Sequence, residues 1–220
     1  MTLFVQYLRQ QEAYNILAAL PHGVEGNLLQ IVDSDLASES QIEFIRYMVK
    51  LAGYPEVVIE TGTNKGYFSY IMSEIYPDNI DLYLYTFDTM PQSEDCIKAL
   101  DNHFDSTGKR IYLNFFLGDS KQTLTQMVDD ATTKNIYADI NDCGFAWIDG
   151  GHDIPTAKSD IDNVMRLGVN YIGIDDCNIP ELRTLVTDIC TNNDHGFVYT
   201  LVENPFPYDQ RQAVLLVKNA

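Results

Sequence analysis

From residue 55 onwards, short apolar runs alternate with longer stretches whose apolar residues recur at helical spacing. This alternation predicts βαβ units, in which parallel strands are joined by crossover helices. The five predicted strands are Glu56–Glu60, Leu82–Phe87, Ile111–Leu117, Phe145–Ile148 and Val169–Ile174. The predicted helices lie near residues 66–76, 91–105, 120–134 and 155–166. Because the runs are almost entirely apolar, we expect helices to cover both faces of the sheet.

The end of the chain departs from this alternation. A helix is predicted near residues 180–192, and two further strands follow, Phe197–Val202 and Ala213–Val217, joined by a short Pro-containing connection. Strands joined so closely pair as an antiparallel hairpin. The sequence therefore predicts an α/β fold, a Rossmann-like, seven-stranded, mostly parallel sheet with helices on both faces and a C-terminal antiparallel hairpin.

The first part of the chain is predicted to be helical. Apolar residues recur at helical spacing from Leu3 to Leu8, and a second helix is predicted to begin near Ser38 or Ser40. No linker or repeat interrupts residues 1–220, so we expect a single domain with an N-terminal helical segment (1–54) and a Rossmann-like core (55–220). Two interpretations of the N-terminal segment stay open: a lid over the site, or a helix that only packs against the core.

Composition limits the classes of partner. The chain has 14 Lys plus Arg against 32 Asp plus Glu, a formal net charge of −18. Nucleic acids and anionic membranes are polyanions, so neither is an expected partner. No apolar run approaches the ~18–20 residues of a membrane span. The first cation is Arg9, so the N-terminus lacks the basic region of a secretory signal. Since the four cysteines show no C-x-x-C spacing, we expect a cytoplasmic protein with reduced thiols. Whether the protein forms a homo-oligomer stays open.

Each predicted parallel strand is followed by an acidic residue. Ligands bind at the carboxyl ends of the strands in an open parallel sheet, so these acids are expected at one edge. They are Glu60, Asp88, Asp119, Asp149, Asp175 and Asp176. Asp is also common in turns and at helix N-caps, which is the simpler explanation for any one of them. Acids after all five strands favour a shared site.

The loop after the first strand, Glu60–Gly66, has the spacing acid-x-Gly-x-x-x-Gly. It lacks the G-x-G-x-x-G pattern, which argues against an NAD-dependent oxidoreductase, and it lacks the P-loop ending. Asp88, at the end of the second strand, can accept hydrogen bonds from two ribose hydroxyls. Because Glu60 disfavours a pyrophosphate, a nucleoside with a cationic tail fits better. S-adenosylmethionine (SAM) is such a ligand.

Five segments carry a resemblance to a known family. Val57–Ser69 resembles motif I of the class I SAM-dependent methyltransferases, Tyr85–Asp88 resembles their motif II, and Leu117–Ser120 resembles their adenine-side loop. Ala146–His152 followed by Gly173–Asp176 is similar to a group of small metal-dependent O-methyltransferases. That group includes macrolide-sugar and aminocoumarin-sugar methyltransferases and cephalosporin-hydroxylase-type proteins. The resemblance covers most of the chain.

The resemblance implies roles for particular residues. It places the methionine part of SAM along the first loop, the ribose at Asp88 and the adenine beside Asp119 and Ser120. The full set of implied cofactor-binding residues is Glu60, Thr61, Gly62, Gly66, Ser69, Asp88, Gly118, Asp119, Ser120 and Asp149. The implied metal ligands, usually for magnesium, are Asp149, Asp175 and Asp176.

The implied reaction is SAM-dependent methyl transfer to a hydroxyl of a small molecule, such as a sugar, a catechol or another natural-product type acceptor. A hard divalent cation held by carboxylates would orient the acceptor and help its hydroxyl to lose a proton. Relatives often carry an acid at the position of Gly151, and here His152 follows instead. The predicted catalytic residues are His152 and Asp149, and the identity of the base stays open. The alternative is a non-catalytic SAM- or metal-binding protein of the same fold.

Overall fold

Seven strands form one sheet in the computed structural model of the chain, which describes residues 39–134, 136–191, 198–204 and 212–219. The strands are β1 (Val57–Thr61), β2 (Leu82–Asp88), β3 (Ile111–Leu117), β4 (Phe145–Ile148), β5 (Tyr171–Ile174), β6 (Tyr199–Glu203) and β7 (Val214–Lys218). Their order across the sheet is β3-β2-β1-β4-β5-β7-β6. The first five strands are parallel, and β7 runs antiparallel between β5 and β6. The predicted fold class is confirmed.

Six α-helices lie in the described part of the chain. They are α1 (Glu39–Leu51), α2 (Tyr67–Ile75), α3 (Pro91–Thr107), α4 (Ser120–Lys134), α5 (Ile154–Arg166) and α6 (Pro180–Thr191). Each begins and ends within about two residues of its predicted position, as helix ends usually allow. Asp153 caps α5, since its side chain accepts a hydrogen bond from the backbone N–H of Thr156.

Two local elements differ from the prediction. β5 begins at Tyr171 rather than at Val169, because Gly168 (φ 73°) and Val169 close the end of α5. The backbone N–H of Val169 donates to the carbonyl of Val164 at 3.3 Å. A short 3₁₀ helix, Ala138–Asp142, was not predicted from the sequence.

The N-terminal segment is described only from residue 39. α1 begins where the second N-terminal helix is predicted. The earlier predicted helix and the remainder of the proposed lid lie at residues 1–38, outside the described residues, as does the connection between the last two strands at 205–211.

The sheet separates two hydrophobic layers, and three of the six described helices lie on each face. α1, α2 and α3 cover one face, and α4, α5 and α6 cover the other. Because neighbouring side chains of a strand point to opposite faces, Val58 packs in the first layer while Val57 and Ile59 pack in the second. None of the described helices is long and apolar enough to span a bilayer.

One glycine in β5 makes room for the only tryptophan. Trp147 on β4 is 1% exposed and pairs in register with Gly173. Its ring stacks on Phe68 of α2, with centroids 5.8 Å apart and an interplanar angle of 2°. A side-chain carbon at position 173 would lie 2.5 Å from the indole Cε3, well inside van der Waals contact. The glycine is therefore required by the indole ring that packs over it.

We expect Gly173→Ala to lower the free energy of unfolding by about 1–3 kcal/mol, because the added carbon overpacks the core against the indole. Urea titration measures this loss. Trp147→Phe removes the ring atoms that the new carbon meets, so the double variant should lose less stability than the two single changes together. Strictly additive losses would contradict the proposed clash.

Candidate cofactor and cation site

The carboxyl ends of the five parallel strands are tied together by backbone hydrogen bonds that continue past the strands. The N–H of Gly62 donates to the carbonyl of Phe87 at 2.9 Å, and the N–H of Asp149 donates to the carbonyl of Thr61 at 3.0 Å. Equivalent bonds tie the end of β2 to that of β3 and the end of β4 to that of β5. The loops that carry the predicted site residues therefore start from fixed backbone positions.

Gly62 allows the loop after β1 to touch the loop after β4. Its φ of 84° lies in the left-handed region that favours glycine. A side-chain carbon at this position would lie 1.9 Å from the carbonyl oxygen of Asp149. No other residue type fits there without moving one of the two loops.

A cavity of about 740 Å³ lies at this edge of the sheet, within the range of small-molecule sites. Seven of the ten predicted cofactor-binding residues line it: Glu60, Gly62, Asp88, Gly118, Asp119, Ser120 and Asp149. The predicted catalytic His152 and the predicted metal ligand Asp176 line the same cavity. The structure thus brings most of the predicted site residues together.

Three predicted cofactor-binding residues do not line the cavity. Thr61 is fully buried and follows Glu60 in a strand, so its side chain points to the opposite face of the sheet. Gly66 packs against Leu100, whose Cδ1 would lie 2.6 Å from a side-chain carbon at position 66. Ser69 is fully buried in α2. These residues belong to the packing around the loop rather than to the cavity wall.

Glu60 is a carboxyl group almost completely removed from solvent. Its side chain is 1% exposed, and its Oε2 has no hydrogen-bond partner among the described residues. Burial, with a smaller contribution from the negative charge of Asp88, raises the pKa of Glu60 to about 8. A buried acceptor without a donor costs free energy, and a positively charged ligand group in the cavity would satisfy it.

Asp88 connects two loops of the site. One carboxylate oxygen accepts a hydrogen bond from the backbone N–H of Asn64, and the other accepts from the N–H of Met90 at 2.9 Å. The carboxylate therefore fixes the loop after β1 against the loop after β2. A carboxylate oxygen can accept more than one hydrogen bond, so Asp88 retains capacity for a ligand hydroxyl.

Asp119 and Ser120 lie at the start of α4. The carboxylate of Asp119 accepts from the backbone N–H of Lys121 at 3.0 Å, so the simpler explanation, helix capping, holds for this acid. Asp119 also lines the cavity, so the two roles coincide. The hydroxyl of Ser120 donates to the carboxylate of Asp160 at 3.0 Å.

Three ligand-type side chains converge at one side of the cavity. Asp149, His152 and Asp176 each offer one atom, and these atoms lie within 4.8 Å of one another. The Nε2 of His152 is 3.0 Å from Oδ2 of Asp176, and His152 is half-exposed at the cavity surface. Asp176 has φ 53°, an uncommon conformation for a residue other than glycine. Two carboxylates and an imidazole in this arrangement can hold a divalent cation.

Asp175 does not join this group. It is 2% exposed, and its Oδ2 accepts a hydrogen bond of 2.6 Å from Nε2 of Gln41 on α1. The predicted set of three metal ligands is therefore assembled only in part. Asp149 and Asp176 converge, whereas the carboxylate of Asp175 is held by α1.

Several cavity residues were missed by sequence reasoning. They include Gln41, Asn64, Tyr67, Phe68, Met90 and Lys121. A signal existed for Gln41, because it shares the buried face of α1 with Ile45 and Met48 at the spacing i, i+4, i+7. A polar residue on an apolar stripe indicates a specific buried partner. The other residues lie in loops or at helix starts, where spacing carries no comparable signal.

The described cavity wall is strongly acidic. Six carboxyl groups line it, and Lys121 is the one lysine or arginine among the described lining residues. The carboxyl groups belong to Glu60, Asp88, Asp119, Asp149, Asp153 and Asp176. Such a wall favours cationic ligands and disfavours polyanionic ones.

Solved structures of methyltransferases share this fold over most of their length. An O-methyltransferase from Bacillus cereus in complex with SAH matches with a TM-score of 0.59 at 14% identity, over 97% of each chain. A putative O-methyltransferase from Klebsiella pneumoniae has a TM-score of 0.59 at 16% identity, over 96% of this chain and 89% of that one. The O-methyltransferase TomG of Streptomyces achromogenes, involved in tomaymycin synthesis and solved with SAM, has a TM-score of 0.58 at 12% identity, over 91% and 92%.

The sequence itself identifies the family. A methyltransferase-domain family matches residues 59–170, just over half of the chain, from within β1 through β4 and including the cavity loops that follow these strands. No curated protein matches. The chain belongs to the methyltransferase family, and it is a SAM-dependent methyltransferase.

The buried carboxyl group of Glu60 gives a prediction about stability. Its folded-state pKa of about 8 lies above the ordinary value of 4.5, so stability falls as pH rises between those values. We expect Glu60→Gln to raise the free energy of unfolding at pH 8 by on the order of 3 kcal/mol, and to change it little near pH 4.5. Urea titration at both pH values measures the difference.

The matched control is Glu56→Gln, which removes an exposed carboxylate four residues earlier. It should leave stability unchanged at both pH values. A Glu60→Gln protein no more stable than the parent at pH 8 would show that the carboxyl group is not desolvated in the folded state.

Proposed function

We propose that this protein is a cation-assisted O-methyltransferase that transfers the methyl group of SAM to a hydroxyl of a small molecule. The observation that carries the proposal is the convergence of Asp149, His152 and Asp176 on one side of a cavity. The same cavity is lined by Glu60 and Asp88. The residues proposed to bind the nucleoside and those proposed to hold the cation and act as the base thus line the same cavity.

The cavity residues fit SAM. Oε2 of Glu60 is buried without a donor among the described residues, and the ammonium or sulfonium charge of SAM would complement it. Gly62 lines the cavity with its backbone alone, and its contact with Asp149 holds the two loops that border the proposed ligand. Asp88 has acceptor capacity for the ribose hydroxyls.

The proposed cation is held by Asp149 and Asp176. Magnesium is commonly bound through one or two carboxylates while it keeps several waters, so these two side chains suffice. The cation would orient an acceptor with adjacent hydroxyls and stabilise the deprotonated oxygen. Asp175 enters the proposal as the partner of Gln41, next to Asp176, rather than as a ligand.

The proposed general base is His152. When its Nε2–H donates to Oδ2 of Asp176, Nδ1 becomes the proton acceptor, and the carboxylate stabilises the imidazolium that forms. Gly151 offers no alternative base. A side-chain carbon at position 151 would lie 3.0 Å from Cγ2 of Thr156 and 3.1 Å from a carboxylate oxygen of Asp153, so the loop packs closely on the start of α5.

In the proposed reaction the acceptor oxygen bonds to the methyl carbon as the carbon–sulfur bond breaks, and the hydroxyl proton passes to His152. The sulfonium already activates the carbon, so the main task of the protein is alignment. Alignment of two reactants can supply about 7–11 kcal/mol of the lowered barrier.

The charge of the cavity wall limits the acceptor. An acceptor with phosphate groups would meet six carboxyl groups and a single lysine among the described lining residues. We therefore propose a neutral or positively charged acceptor, such as a catechol or a sugar with adjacent hydroxyls.

The function is tested by incubating the protein with SAM, Mg²⁺ and a panel of neutral catechols and sugars. We expect formation of S-adenosylhomocysteine that stops when EDTA removes the cation.

In calorimetric titration, Asp149→Asn and Asp176→Asn should weaken Mg²⁺ binding at least about tenfold, because each removes one charged ligand. Asp142→Asn, an exposed change away from the cavity, is the control. SAM binding with neither turnover nor cation binding would favour the non-catalytic alternative.

For the proposed base, His152→Ala should lower kcat by roughly 10²–10⁴-fold while the KM for SAM changes little, since proton removal is lost and cofactor binding is not. Added imidazole should restore part of kcat. Turnover equal to that of the parent would remove His152 from the proton transfer, and a loss that imidazole cannot restore would assign it a structural role.

A further inference from the structure

Asp160 of α5 is a buried carboxyl group that the proposed reaction does not use. It is 0% exposed and lies on the apolar face of the helix with Ala157, Ile161 and Val164. Its Oδ1 has no hydrogen-bond partner among the described residues. An apolar side chain would be the less costly choice at such a place, so the carboxyl group calls for an explanation.

The carboxyl group lies beside three segments of the chain at the cavity end of the sheet. Its Oδ2 accepts the hydrogen bond from Ser120, the first residue of α4 and part of the cavity wall. A side-chain carbon at Gly150 would lie 3.1 Å from Oδ2 of Asp160 and 3.1 Å from the hydroxyl oxygen of Thr61. Asp160 therefore lies where the end of β1 meets the segments that follow β3 and β4.

We propose that Asp160 is a positioning residue for the cofactor, which holds Ser120 and the Asp149–Gly150 loop in the arrangement that binds SAM. The inference rests on the proposed binding of SAM in this cavity. A hydroxyl that donates to a charged acceptor is held more firmly than one that donates to a neutral group. Loops fixed before the ligand arrives lose less freedom on binding, so the gain is expected in affinity rather than in the rate of methyl transfer.

The electrostatic surroundings of Asp160 give this role a specific signature. Burial, with a smaller contribution from Asp119, raises its pKa to about 6, while the hydroxyls of Ser120 and Thr61 and the charge of Lys121 act in the opposite direction. The group is thus ionised at pH 8, at a cost to stability that appears as pH rises from 3.8 to about 6. Asp160→Asn removes that cost together with the charge. Stability and cofactor affinity should therefore change in opposite directions.

The experiment is calorimetric titration of the full chain with SAM at pH 8, with urea unfolding of the same proteins. We expect Asp160→Asn and Ser120→Ala each to raise the Kd for SAM at least about fivefold, the size of one weakened charge-assisted hydrogen bond. The double variant should bind no more weakly than the weaker single variant, because both changes break the same contact. In the methyltransferase assay at saturating SAM, the kcat of Asp160→Asn should stay within about threefold of the parent while its KM for SAM rises.

The control is Asp162→Asn, on the same helix, which removes a partly exposed carboxylate paired with Lys158. It should leave the Kd unchanged. A parent protein that binds no SAM would overturn the proposed function itself. If the parent binds SAM and Asp160→Asn binds it equally well, the positioning role is wrong and the proposed function stands.

Two further outcomes would contradict the positioning role of Asp160. A Kd for SAM that rises together with a lower unfolding midpoint at pH 8 would show that Asp160 only stabilises the fold. If Asp160→Asn does not fold, Ser120→Ala removes the same hydrogen bond from the other side, and an unchanged Kd in that variant would equally overturn the proposal.

Discussion

The contact between Gly62 and Asp149 is the constraint on which the rest of the site depends. Because the carbonyl oxygen of Asp149 occupies the space where a side chain would begin at position 62, the loops after β1 and β4 share one fixed boundary. β1 lies inside the sheet, between β2 and β4, and helices cover both faces, so all five of its residues are buried. An acid at the end of this strand is therefore desolvated, whereas Asp149 and Asp176 in the loops remain partly exposed.

The fold was predictable because its signals are periodic. Apolar runs of strand length and helices with one apolar face are visible in a single sequence, and they placed every parallel strand and the acids that follow. The partners of individual side chains carry no periodic signal. Asp175 and Asp176 are adjacent in the sequence, yet one is held by Gln41 of a distant helix and the other lies beside His152. Sequence reasoning treated them alike because the strand end alone does not say where each side chain turns.

Polar residues on the apolar face of a helix indicated the location of the site more directly than residues that follow the periodic pattern. Gln41 and Asp160 both occupy positions on the apolar face of a helix, and both have carboxylate or hydroxyl partners at the cavity edge of the sheet. Glu60 lies on the face of the sheet covered by α1 to α3, and Asp160 lies on the face covered by α4 to α6. Buried carboxyl groups thus flank the end of β1 from both sides. The raised pKa of each group lowers the stability of the protein at neutral pH, a cost that is common where a buried polar group serves binding.

The position of β7 has a consequence for the order in which the molecule can be assembled. It lies between β5 and β6, although it is the last strand of the described chain. Until β7 is added, β5 has a partner only on the side of β4 and presents an open edge. A ribosome delivers the first strands early and β7 late. An incomplete chain can therefore pair the strands β1 to β4, while β5, which leads into Asp175 and Asp176, still lacks its second neighbouring strand.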